Sequence, residues 1–125
     1  MTTKEMEKTI RRWFRKADRS AGLILPDGWF GRPYDNLYWL QDVEVEGDTF
    51  TVRLDEDTAL VFKGLTQVCV RNGEQNAELV FEDFTHLMFR WKLYGGTEYR
   101  ECHYDGGQVR FLPPLEDNYD TRRPE

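Results

Sequence analysis

Cysteine and histidine are scarce in this chain, two of each in 125 residues. Cys69 and Cys102 stand far apart, without the paired spacing that holds zinc or builds a disulfide framework, so free, buried thiols are expected. No acidic residue stands at a familiar ligand spacing from His86 or His103, and no metal site or cofactor is expected. Asp55-Glu56-Asp57 lacks the alternating ligands and the glycine of a calcium loop. A phosphate-cradling glycine loop and a nucleophile elbow are also missing. No apolar run approaches the ~20 residues that cross a bilayer. Charges occupy the N-terminus where a secretory leader would be apolar, so a soluble, cytoplasmic chain is expected. A formal net charge of −6 argues against general nucleic-acid affinity.

What the chain does have is unevenly spread. Residues 1–19 carry seven basic side chains against three acidic ones, or +4, which leaves −10 (−6 minus +4) on the rest. Met6, Ile10, Trp13, Phe14 and Ala17 recur at helical spacing, with the basic residues mostly off that stripe. Thr2 or Thr3 can cap this segment, so the pattern predicts an amphipathic helix over 3–18. It is expected to lie on an acidic body. Gly22 is a suitable stop, and Leu23-Ile24-Leu25 a short strand.

The next stretch, 25–36, reads Leu-Pro-Asp-Gly-Trp-Phe-Gly-Arg-Pro-Tyr-Asp-Asn. Pro26-Asp27-Gly28 is turn chemistry, and Arg32-Pro33 keeps the backbone extended. Trp29, Phe30 and Tyr34, with Arg32 and Asp35 among them, need a hydrophobic seat or a partner. Two readings stand side by side. The rings plug the end of a β-structure while Arg32 ties to Asp27 or Asp35, or they face outward as a recognition surface. The stretch resembles a run in small bacterial proteins of unknown function. That resemblance implies a bacterial source and no activity.

After Asn36 the period changes from helical to alternating. Strands are expected at 37–46, 49–54, 58–63, 65–71, 75–82, 84–94, 97–104 and 108–112, joined by short links with hairpin chemistry. A two-residue loop at Gly47-Asp48 sets Val45 opposite Phe50 and Val43 opposite Val52. A three-residue loop at 55–57 sets Val52 opposite Leu60 and Phe50 opposite Phe62, so both turns gather apolar side chains on one face. The hairpin at Gly95-Gly96 sets Phe89 opposite Cys102 and Leu87 opposite Tyr104. If Asp105-Gly106 is also a tight hairpin, Val109 and Phe111 join that face and Glu101 lies between Arg90 and Arg110.

The expected architecture is therefore mainly β. One domain over 1–112 has its helix packed on an antiparallel meander (37–112) of eight or nine strands, curved towards a barrel, with a β-sandwich as runner-up. The unpatterned segment 113–125 is expected to be a mobile tail.

Three functions fit. The first is a non-enzymatic module that binds another protein, a basic surface suiting the charge, through Trp29, Phe30, Arg32, Tyr34 and Asp35. The second is a small-ligand barrel whose pocket uses Arg90, Tyr99, Glu101, His103 and Arg110. The third is acid–base catalysis by Glu101 and His103, which share a strand face. Against the last two stands a solvated cross-strand charge ladder. Cys102 and His103 are neighbours on a strand, point to opposite faces, and cannot serve one atom together.

Overall fold

A computed structural model describes residues 1–17, 21–28, 38–73, 76–92 and 96–113. It has one helix, α1 (Thr3–Ala17), and nine strands: β1 (Gly22–Ile24), β2 (Asp42–Glu46), β3 (Thr49–Asp55), β4 (Thr58–Lys63), β5 (Gln67–Gly73), β6 (Asn76–Glu82), β7 (His86–Lys92), β8 (Tyr99–Tyr104) and β9 (Val109–Leu112). They form two antiparallel sheets, a four-stranded one in the order β1-β9-β6-β5 and a five-stranded one in the order β2-β3-β4-β7-β8. The strand at 37–46 is shorter than expected, beginning at Asp42.

The helix forms where its spacing says it should. Thr2 Oγ1 accepts the Glu5 N–H at 3.1 Å while Glu5 Oε1 accepts the Thr2 N–H at 2.8 Å, a reciprocal cap that satisfies two otherwise orphaned donors. Met6, Ile10, Trp13 and Phe14 are buried, and the helix packs against β5. Trp13 donates its indole N–H to the Ala77 carbonyl at 3.0 Å. Arg11 reaches both Glu7 (2.9 Å) and Asp42 at the start of β2 (3.0 Å). The basic helix is thus tied to an acidic strand, as the charge split suggested.

Hairpin registers agree with the apolar pattern. Val45 faces Phe50, Val43 faces Val52, Val52 faces Leu60, and Phe50 faces Phe62. Across β7 and β8, Leu87 faces Tyr104 and Phe89 faces Cys102. Between the sheets Phe62 of β4 stacks on Phe81 of β6, centroids 5.0 Å apart and planes at 5°. Both rings are fully buried in one core cluster that draws on both sheets and α1. Each such ring contributes about 1.5–3 kcal/mol through burial.

The single meander does not form, and the sheets do not close into a barrel. The chain leaves the five-stranded sheet after β4, forms the β5–β6 hairpin in the other sheet, and returns at β7 beside β4. The two crossings lie side by side. Thr66 donates its N–H to the Asp83 carbonyl (3.1 Å), and Thr85 donates its N–H to the Lys63 carbonyl (2.9 Å).

A third crossing replaces the expected hairpin at Asp105-Gly106. β9 pairs with β1 and β6, Phe111 facing Leu79 and Leu23, rather than with β8. The physical reason is burial. β8 is mostly exposed and has little to offer Val109 and Phe111, whereas a central place in the other sheet removes both from water completely.

Candidate functional site

The stretch 25–36 is anchored at both ends. Leu25 is buried, and Gly28 donates its N–H to the Leu25 carbonyl at 2.8 Å, closing the expected turn. Tyr104 donates its hydroxyl to Asp27 at 3.2 Å. Pro26 lies so close to Gly107 that a Cβ there would sit 2.8 Å from the proline Cβ. Past the stretch, Tyr38 is buried and bridges Ala21 through paired backbone hydrogen bonds of 2.8 and 2.9 Å. Trp29, Phe30, Arg32, Tyr34 and Asp35 themselves lie outside the described residues.

Directly after Tyr38 the chain presents Trp39, 60% exposed. An indole so exposed forgoes most of its hydrophobic stabilisation. The Tyr38-Trp39 pair alternates, one ring inward and one outward, and that alternation is the sequence signal for it.

The polar group on the outer face of the five-stranded sheet is assembled only in part. Arg90 faces Glu101 in register and lays its guanidinium 4.3 Å from the Tyr99 ring centre. Lys92 faces Tyr99 and reaches Asp57 at 3.5 Å. His103 Nε2 contacts Glu101 Oε1 at 3.1 Å. Arg110 is elsewhere. Its guanidinium donates to Glu78 at 2.9 Å within the four-stranded sheet, so Glu101 does not sit between two arginines. Glu78 is only 4% exposed, and such a carboxylate needs a cation beside it.

His86 joins this face instead, with Nε2 3.0 Å from His103 Nδ1 and Nδ1 2.8 Å from Asp105 Oδ1. The signal was present in the sequence: once Leu87 faces Tyr104, His86 must fall opposite Asp105 and diagonal to His103. Cys102 and Tyr104 turn the other way, towards the core, where they are half-buried. Neither cysteine is fully buried, and both are free thiols.

A groove of about 280 Å³ lies between α1 and the edge of the four-stranded sheet, lined by Thr9, Arg12, Trp13, Lys16, Val70, Ala77 and Pro113. Its lining is mostly apolar, with Arg12 and Lys16 as its two cations. Among the described residues no group of three or more His, Cys, Asp or Glu side chains is placed to hold a metal ion. Nor is any described helix long and apolar enough to cross a membrane.

No family model, curated protein or solved structure matches this chain.

Proposed function

We propose that this protein is a non-enzymatic binding module that docks another protein through the surface around Leu25–Asn36, with Trp39 as an anchor. The exposed indole of Trp39 carries the reading. Large rings seated at the centre of an interface supply much of its affinity. The anchored ends support it too, since a stretch whose stem is fixed loses less entropy on binding. The acidic body, −10 outside the first nineteen residues, favours a basic partner in a bacterial cytoplasm.

A second reading places a small anion with an apolar body in the groove beneath Arg12 and Lys16. It takes over the ligand role first assigned to Arg90 and Arg110, because Arg110 is already held by Glu78.

One experiment separates the two. A photoreactive phenylalanine analogue replaces the exposed Gln41, two residues from Trp39, in the full chain expressed in a bacterial host. The expected result is one dominant adduct with a basic protein, abolished when Asp27→Ala loosens the stem and unchanged in an Arg12→Glu/Lys16→Glu variant. Absence of any adduct, or its loss on changing the groove alone, refutes the docking surface.

A further inference from the structure

The two sheets end in four edge strands, β1, β5, β2 and β8. An edge offers unpaired N–H and C=O groups to any passing strand, and folded proteins usually blunt it. Three of these edges are blunted. Next to β1, Ala21 exchanges backbone hydrogen bonds with Tyr38. On β5 the Val68 N–H goes to Met1 Sδ at 3.5 Å, and α1 packs against the strand. On β2 the Val43 N–H goes to the Asp42 carboxylate at 2.8 Å, which also holds Arg11. β8 differs. Among the described residues no group bonds to its main chain from the side away from β7. It contains no proline or glycine, and it pairs with β7 in six consecutive steps without a bulge.

The side chains of β8 restrict what can pair there. Cys102 and Tyr104 face the core, so Arg100 shares their side, while Glu101 and His103 face outward. An apolar strand laid along β8 would cover the Arg100 charge without a partner. A second copy of β8 gives it one. A twofold axis perpendicular to the sheet keeps like faces together, so each register centres on a single residue. Centring on Arg100 opposes two guanidinium groups, and centring on Glu101 opposes two carboxylates. Centring on His103 sets Glu101 against Asp105. Like charges directly opposite destabilise a strand pair. Centring on Cys102 opposes none: Glu101 meets His103 and Arg100 meets Tyr104, each twice. An imidazole carries an N–H for the carboxylate in either charge state. A tyrosine ring accepts a guanidinium on its face, as Tyr99 does for Arg90 at 4.3 Å.

We propose that β8 is a self-association edge, along which two copies of this chain pair antiparallel about a twofold axis at Cys102 and join their five-stranded sheets into one. Main-chain hydrogen bonds supply the attraction, and the Glu101–His103 and Arg100–Tyr104 pairs fix the register. Strand addition of this length makes a small interface, so the association is weak and reversible. Directly opposite residues of an antiparallel pair have Cα atoms about 4.5–5.5 Å apart, a separation that a disulfide spans. The two Cys102 thiols therefore confront each other in the dimer. Cys69 lies on β5 in the other sheet and has no such place. The dimer does not depend on the docking surface proposed above.

Sedimentation equilibrium of the full chain over a concentration series tests the pairing. The parent protein should form dimers. Glu101→Lys sets a lysine against His103 and His103→Glu sets two carboxylates together, and each change should weaken the dimer about tenfold. The double variant Glu101→Lys/His103→Glu restores opposite charges and should recover the parent affinity. Both positions are exposed, so the variants fold. Diamide, which accepts the two thiol hydrogens, should link the parent dimer covalently. Cys69→Ser should leave that link intact and Cys102→Ser should abolish it. A parent protein still monomeric at about 1 mM overturns the proposal, including the case in which β8 instead takes a strand from another protein. So does a dimer indifferent to the charge changes, one that the double variant fails to recover, or one that diamide links through Cys69 or not at all.

Discussion

Cys102 and Tyr104 show how two neighbours on one strand face can titrate against the fold. Burial first, and then the other's proximity and Asp27, push the Tyr104 phenol above its ordinary value of 10.0. Burial likewise raises the Cys102 thiol above 9.0. In both cases the folded protein keeps a proton that the unfolded chain releases. Stability is thus fully present below those ordinary values and is lost as pH rises beyond them. The urea midpoint should fall between about pH 8 and about pH 10.5, and Tyr104→Phe should reduce that fall. Equal falls in parent and variant would show that the phenol is as free to ionise in the folded state as in the unfolded chain. At this scale the sequence was legible wherever a partner lay across one hairpin, as for Arg90 and Glu101. It was not legible for Arg110, whose partner Glu78 is brought near by a strand pairing between distant segments.

Among the elements, α1 was the most readable, because cap, apolar stripe and charges all repeat at one period. Its attachment adds a pH dependence of the opposite kind. Hydrogen bonds from Thr2 hold the Glu5 carboxyl below its ordinary 4.5, and the Arg11 guanidinium, helped by the Val43 N–H, holds Asp42 below 3.8. Here the folded protein gives up a proton more readily than the unfolded chain. The stabilisation is present at neutral pH and lost as pH falls through the carboxylate range. Asp42→Asn should therefore flatten the acid side of a melting-temperature profile followed by helix circular dichroism. Because the pair is solvated, about 0.5 M salt should shrink the difference between parent and variant. An acid limb of unchanged slope in Asp42→Asn would place the helix attachment in the apolar stripe alone.

For the whole molecule, the paired crossings between the sheets matter most. Gly64 turns the chain out of β4 with φ +67°, and a Cβ there would lie 2.9 Å from Thr85 Oγ1, in the crossing that returns to β7. Gly47 has a similar φ of +62° in the β2–β3 hairpin but open space around it. Gly47→Ala should cost about 1 kcal/mol from backbone strain alone. Gly64→Ala should cost about 1–3 kcal/mol more, since Thr85 donates its hydroxyl to the Lys63 carbonyl and must give that up to move. Urea denaturation of the two variants side by side measures the difference. Equal losses would mean that the crossings tolerate displacement and do not hold the sheets together.

By itself the sequence determined what depends on neighbours along the chain: the helix and its cap, most of the strand segments, and the registers of the β2–β3, β3–β4 and β7–β8 hairpins. Period and turn chemistry act over a few residues, so they leave their mark there. Only the tertiary structure decided that three short links are crossings between sheets, that β9 lies between β1 and β6, and that His86 meets His103. A three-residue link closes a hairpin or steps to another layer at similar entropic cost. The choice goes to whichever arrangement removes Val109, Phe111 and the Phe62–Phe81 pair from water, and that is a property of the assembled core.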